Sequence, residues 1–170
     1  MPQELQEIEM GKDERMRVMV AEGEFGSHER QREAIAGLLA SHFGHEVKLA
    51  HTDTGAPFIP GFDGYISISH CHTAVAVAIC QHPVGIDIES PRYEQMRRVA
   101  RRFITADALA TDADSPTMLA TAWCAKEATY KLHRGKHYKT HVEIPFPCEN
   151  YIFTIKHTYY THITMKTHSR

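Results

Sequence analysis

A chain of 170 residues, 42% hydrophobic and 24% charged, is long enough to bury a core as one domain. Its formal net charge of -2 sets up no overall basic field, which argues against nucleic-acid binding, and no apolar run is long enough to span a membrane. Cys71, Cys80, Cys124 and Cys148 form no C-x-x-C pair and nothing at the N-terminus resembles a signal peptide, so a cytoplasmic protein with free thiols is expected.

Residues 1–26 are charged and weakly patterned, with Met16–Val20 as a short alternating strand. Ser27 suits a helix N-cap; Ala34, Ile35, Leu38, Leu39 and Phe43 follow at helical spacing, and Gly44 stops the helix. Val47–Ala50 reads as a strand, and Thr54–Pro57 and Pro60–Gly61 as turns. Tyr65–Ser69 alternates as a strand ending at His70. Ala74–Cys80 is the next strand, and Gln81-His82-Pro83 is expected to be a hairpin turn into Val84–Glu89.

Ser90-Pro91 predicts an N-cap with proline at the first helical position. Met96, Val99, Ala100 and Phe103 form the buried stripe of that helix, with Glu94 and Arg98 paired outside. Asp112–Ser115 is a loop, and Ser115-Pro116 repeats the signature before a helix that carries Leu119, Trp123, Glu127, Tyr130 and Lys131 and ends at Gly135. Tyr151–Ile155 and His162–Met165 read as a closing hairpin. The order of elements predicts an α+β fold of two similar halves with antiparallel sheets, roughly 1–82 and 83–170.

Three features carry chemistry. In Val84-Gly85-Ile86-Asp87-Ile88-Glu89, alternation along a strand sends Ile86 and Ile88 to the core and both carboxylates to the other face. Two carboxylates on one face repel unless a proton or cation lies between them, and oxygen donors suit a hard cation such as Mg²⁺. On its own, a D-x-E of this kind also fits a half-solvated edge strand. Trp123, Glu127 and Lys131 stand at i, i+4 and i+8, one helical stripe that is neither apolar nor wholly solvent-like. A surface Glu–Lys pair explains the last two equally well. Ser69-His70 ends a strand with a hydroxyl and an imidazole, groups that hold phosphate or satisfy a local loop.

In the order G-x-P, S-I-S-H, V-G-I-D-I-E, R-R-F and W-x-x-K-E-x-x-x-K, the chain from about Arg30 to Gly135 resembles the 4′-phosphopantetheinyl transferases of the surfactin-synthetase-activating type. The resemblance implies that Asp87, Glu89 and Glu127 bind Mg²⁺, and that phosphopantetheine passes from coenzyme A to a serine of an apo acyl or peptidyl carrier protein. It further implies Glu127 as base for the serine proton, Lys131 on the pyrophosphate, Ser69 and His70 on coenzyme A phosphates, and Lys126 as a second phosphate or acceptor contact. Gly55 and Pro57 match the adenine-side turn, and Arg30 and Arg32 align roughly with 3′-phosphate contacts. A monomer that builds its site between its own halves is expected, and Arg92, Arg97, Arg98, Arg101 and Arg102 fit either a docking face for the acidic carrier or, equally well, a solvated helix face.

The chain departs from the family pattern at Ala56, where a lysine is usual, at Cys71, where serine is usual, and in a short segment before Arg30. Ala56 and the short N-terminal segment motivate an alternative, a non-catalytic relative that binds coenzyme A or a carrier protein. A zinc site from His70, Cys71, His72, Cys80 and His82 lacks suitable spacing, and a Mg²⁺-dependent nuclease would place its carboxylate and lysine on one strand.

Overall fold

The computed structural model describes residues 4–8, 16–90, 92–104, 116–133, 153–156 and 161–166. In chain order they form β1 (Glu4–Ile8), β2 (Met16–Glu22), α1 (His28–Phe43), β3 (Ala50–His51), β4 (Pro57–Phe58), β5 (Tyr65–His70), β6 (Ala74–Cys80) and β7 (Val84–Glu89). Then come α2 (Tyr93–Val99), a 3-10 turn (Ala100–Arg102), α3 (Pro116–Leu132), β8 (Phe153–Lys156) and β9 (Thr161–Lys166). The strands make a four-stranded sheet in the order β1-β2-β6-β5, a β3-β4 ribbon and a three-stranded sheet in the order β7-β9-β8. Every ladder is antiparallel, so the fold is α+β.

The apolar run of β6 is buried along its whole length because both of its faces are covered. Val75, Val77 and Ile79 pack with Ala34, Leu38 and Leu39 of α1. Ala74, Ala76, Ala78 and Cys80 meet Val84, Ile86 and Ile88 of β7. Each large side chain buried this way contributes roughly 1.5–3 kcal/mol. The even-numbered face of β7 therefore closes the core between the two sheets, and its odd-numbered face lies under α3. Gly85 permits that approach: a Cβ there would stand 1.9 Å from the Ala128 carbonyl oxygen and 2.7 Å from the Leu132 nitrogen.

Helix α1 begins and ends as its sequence predicts. Ser27 Oγ accepts from the Arg30 N–H, and Gly44 takes a left-handed conformation with φ 73°. Elsewhere the structure corrects the expectation. The turn at Gln81–Pro83 does not form a hairpin, because β6 is already bonded on both edges, by β2 and β5, and β7 pairs with β9 instead. Of Val47–Ala50 only Ala50 is in a ladder, since its partner strand is two residues long and starts at a proline; Val47 and Leu49 pack on the core without pairing.

Helix α2 starts at Tyr93, with Arg92 rather than Ser90 at its N-cap. The Ser90 N–H donates to Glu89 Oε1, which also takes the Arg92 guanidinium, so the acidic strand end organises this turn. Glu94 and Arg98 are both exposed, as expected of an outer face. The charged N-terminal segment supplies an edge strand, β1, where apolar alternation is not required. The Asp112–Ser115 loop, Gly135, Cys148 and the Tyr151–Ile152 start of the closing hairpin lie outside the described residues. Among those described, Cys71, Cys80 and Cys124 are buried and in no disulfide, and no helix is long and apolar enough to cross a membrane.

Candidate active site

The open edge of β7 meets β5, and the contact is polar. Alternation in β5 turns Ile66 and Ile68 to the α1 core and turns Ser67 and Ser69, both buried, toward β7. The main-chain groups of Ile86 face this edge and find side-chain partners. Its N–H donates to Ser67 Oγ at 3.0 Å, and its carbonyl accepts from Lys131 Nζ at 3.1 Å. Buried backbone groups require such partners. Ser67 thus acts as a strut at an edge that no described strand pairs, a role the S-I-S alternation hints at but does not specify.

One residue on, the Asp87 carboxylate is 5% exposed. Its Oδ1 accepts from Lys131 Nζ at 2.7 Å and from Ser69 Oγ at 2.7 Å, and Lys131 also donates to Ser69 Oγ at 3.0 Å. Burial raises the Asp87 pKa above the usual carboxylate range, with the field of Glu127 adding to it and Lys131 and Ser69 opposing. Lys131 reaches this point because it lies on the stripe Trp123, Glu127, Lys131 of α3, the helix that Gly85 admits close to the strand. Cys124, wholly buried on α3, is also hydrogen-bonded to Asp87; burial, then Asp87, pushes its thiol pKa well up, so it stays protonated. Sequence reasoning assigned nothing to Cys124.

Glu89 follows on the same strand face. Its carboxylate is bound by Arg92 Nη2 at 2.8 Å, and burial followed by the charge of Asp87 raises its pKa against the opposing pull of Arg92. Arg92, expected on a docking face, is therefore also a partner of this carboxylate.

Two pockets flank the carboxylates. One, of about 360 Å³, is lined by Glu89, Arg92, Met96, Arg102, Phe103 and Trp123 among others. Trp123 rests edge-on against Phe103, with ring centroids 5.1 Å apart. The second, of about 350 Å³, brings the Gly55-Ala56-Pro57 turn together with Ser67, Tyr130 and Lys131. A positive φ of 80° at Gly55 tightens that turn. The helical stripe runs between the pockets, with Trp123 at one, Lys131 at the other and Glu127 one turn from each.

Other candidates sit elsewhere. His70 is exposed at the end of β5, and its pKa is lowered by partial desolvation, Lys131 and His28 against the pull of Asp87. Lys126 is 3% exposed, buried on α3, and lines neither pocket. Arg30 and Arg32 are exposed at the start of α1, where Arg30 turns back to the Glu24 carbonyl at 3.3 Å. Neither lines the two pockets.

Among the described residues no group of three or more His, Cys, Asp or Glu side chains is arranged to hold a metal ion. The donor chemistry at Asp87 nevertheless fits a hard cation. The Lys131 ammonium already sits there as a stand-in, held by three oxygens: Asp87 Oδ1, Ser69 Oγ and the Ile86 carbonyl. Two raised carboxylates and the neighbouring charge of Glu127 further favour positive charge at this point.

No curated protein matches the chain. A family model does: that of the 4′-phosphopantetheinyl transferase superfamily matches residues 83–167, half of the chain. The matched segment holds Asp87, Glu89, Glu127 and Lys131, while the Gly55 turn and Ser69-His70 precede it. By this match, the chain belongs to the 4′-phosphopantetheinyl transferase superfamily.

Proposed function

We propose that this protein transfers 4′-phosphopantetheine from coenzyme A to a serine hydroxyl of an apo acyl or peptidyl carrier protein, in a Mg²⁺-dependent reaction. The observation that carries the reading is the buried Asp87 carboxylate, bound by Lys131 and Ser69 between two pockets, in a chain of this superfamily. The serine oxygen attacks the phosphorus that bears pantetheine, the pyrophosphate bridge breaks, and adenosine 3′,5′-bisphosphate leaves.

Asp87, Glu89 and Glu127 would hold the cation. Mg²⁺, when bound, supplies positive charge to the phosphate oxygens on which negative charge develops. Lys131 serves the pyrophosphate from the pocket it shares with the Gly55-Ala56-Pro57 turn, which would take the nucleotide end. Ser69 and His70 complete the phosphate side, and the depressed pKa of His70 makes its imidazole a neutral hydrogen-bonding group near neutral pH. Glu127 takes the serine proton, directly or through water. Preorganised charge in a buried setting is the main catalytic device in this account.

The acceptor side is the pocket beside Glu89. Arg92 and Arg102 line it, and Arg97, Arg98 and Arg101 are exposed on the same short helix and turn, a basic face suited to an acidic carrier. Reversing the charges of Arg97 and Arg98 should raise the KM for the carrier several-fold with little change in kcat. An unchanged KM would remove this face from the account.

Release of adenosine 3′,5′-bisphosphate from coenzyme A, measured chromatographically with and without an apo carrier, tests the proposal. Release that requires the carrier and Mg²⁺ is expected. Coenzyme A binding without release, across several carriers, would favour a non-catalytic binding protein, a reading to which Ala56 lends some support by leaving that turn without a cation.

A further inference from the structure

The ammonium of Lys131 belongs to both sites at once. Its three donors reach Asp87 Oδ1, Ser69 Oγ and the Ile86 carbonyl at 2.7, 3.0 and 3.1 Å, an all-oxygen set of the kind a hard cation takes. The same residue lines the pocket at the Gly55-Ala56-Pro57 turn, and among the described residues every other one that lines it, from Thr54 to Tyr130, is uncharged. Among the described residues, an anion entering that pocket thus meets one charged lining side chain, and that side chain is already engaged at Asp87.

Resting on the reading of Asp87 as a metal carboxylate, we infer that Lys131 is a resident cation that blocks divalent-ion binding at Asp87 until an anionic ligand in the adjoining pocket draws it away. Two positive charges cannot share Asp87 Oδ1 without strong repulsion in so buried a place. The flexible four-carbon stem of lysine lets the ammonium swing while its backbone stays fixed in α3. The consequence is coupling. Anion binding frees Asp87 for the ion, and the ion at Asp87 frees Lys131 for the anion, with the same factor in both directions. Neither ligand fills its place well alone, so the resting protein keeps its buried carboxylate paired.

Mn²⁺ binding to the full chain, followed by the electron paramagnetic resonance signal of the free ion in the absence of any carrier, tests this. Wild type alone should bind Mn²⁺ weakly, and coenzyme A should tighten binding by at least about tenfold. Lys131→Gln and Lys131→Met, checked for folding by thermal melting, should bind Mn²⁺ at least about tenfold tighter than wild type without coenzyme A, and Asp87→Asn should remove that gain. Folded Lys131 variants that bind no better than wild type overturn the inference. If neither variant folds, wild type still decides: tight Mn²⁺ binding without coenzyme A, lost in Asp87→Asn, overturns it, and weak binding tightened by coenzyme A supports it. Failure of Mn²⁺ to bind in any combination overturns the metal reading together with this inference, whereas binding that ignores Lys131 overturns the inference alone.

Discussion

Strands β6 and β7 follow each other in the chain, are nearly equal in length and are both buried, yet they serve different ends. Strand β6 buries alanine, valine, isoleucine and cysteine, is hydrogen-bonded on both edges and needs nothing further. Strand β7 carries a glycine and a carboxylate into a buried position and, among the described strands, pairs along one edge alone. A buried charge is tolerated only with partners. Ser69, Cys124 and Lys131 are those partners, and they come from an earlier strand and a later helix. Apolar burial makes β6 a scaffold, and the polar requirements of β7 gather a site around it.

The largest effect should come from Asp87→Ala. It removes the oxygen that Lys131 and Ser69 address, and transfer to a carrier should fall at least about a thousandfold, while carrier binding persists. Residual transfer near the wild-type rate would dissolve the distinction between the two strands. Next, Gly85→Ala drives a methyl group into the Ala128 carbonyl, and the helix must shift off the strand. A loss of about 3 kcal/mol or more in denaturant unfolding is expected, with activity lost alongside it.

Val77→Ala is the counterpart on β6. It empties part of a fully buried contact with α1 and should cost about 2 kcal/mol, yet leave transfer per folded molecule unchanged. A large fall in kcat there would mean that the scaffold strand is also part of the site.

The smallest effect is a pH dependence. Asp87 and Glu89 hold pKa values raised by burial, so the native state takes up their protons before the unfolded chain does. As pH falls from neutral through those raised values toward the ordinary carboxylate range, their protonation should add stability. The difference in melting temperature between wild type and Asp87→Asn should therefore rise on acidification. A difference that falls would show that pairing with Lys131 outweighs desolvation.

Much of the fold was legible where a single local rule decides. The Ser27 and Gly44 caps, the all-apolar β6 and the strand that ends at His70 follow from capping and periodicity. The corner at Gln81–Pro83 was misread because local turn chemistry cannot reveal that β6 has no edge left to pair. The D-x-E strand and the helical stripe mark Asp87 and Lys131 in the sequence, but not the contact between them. Gly85 then shows why helix and strand can meet, since only a residue without Cβ fits under Ala128. Ser67 and Cys124 escaped assignment because each acts through a neighbour from a distant part of the chain. Lys126, read from the motif as a phosphate or acceptor contact, is buried on α3 and lines neither pocket.

The most direct test is intact-mass spectrometry of an apo acyl carrier protein incubated with this protein, coenzyme A and Mg²⁺. The carrier should gain the mass of one phosphopantetheine, chelation of the metal should stop the gain, and Asp87→Ala should give none. A carrier whose mass is unchanged by folded wild type that demonstrably binds coenzyme A would contradict the proposed transfer.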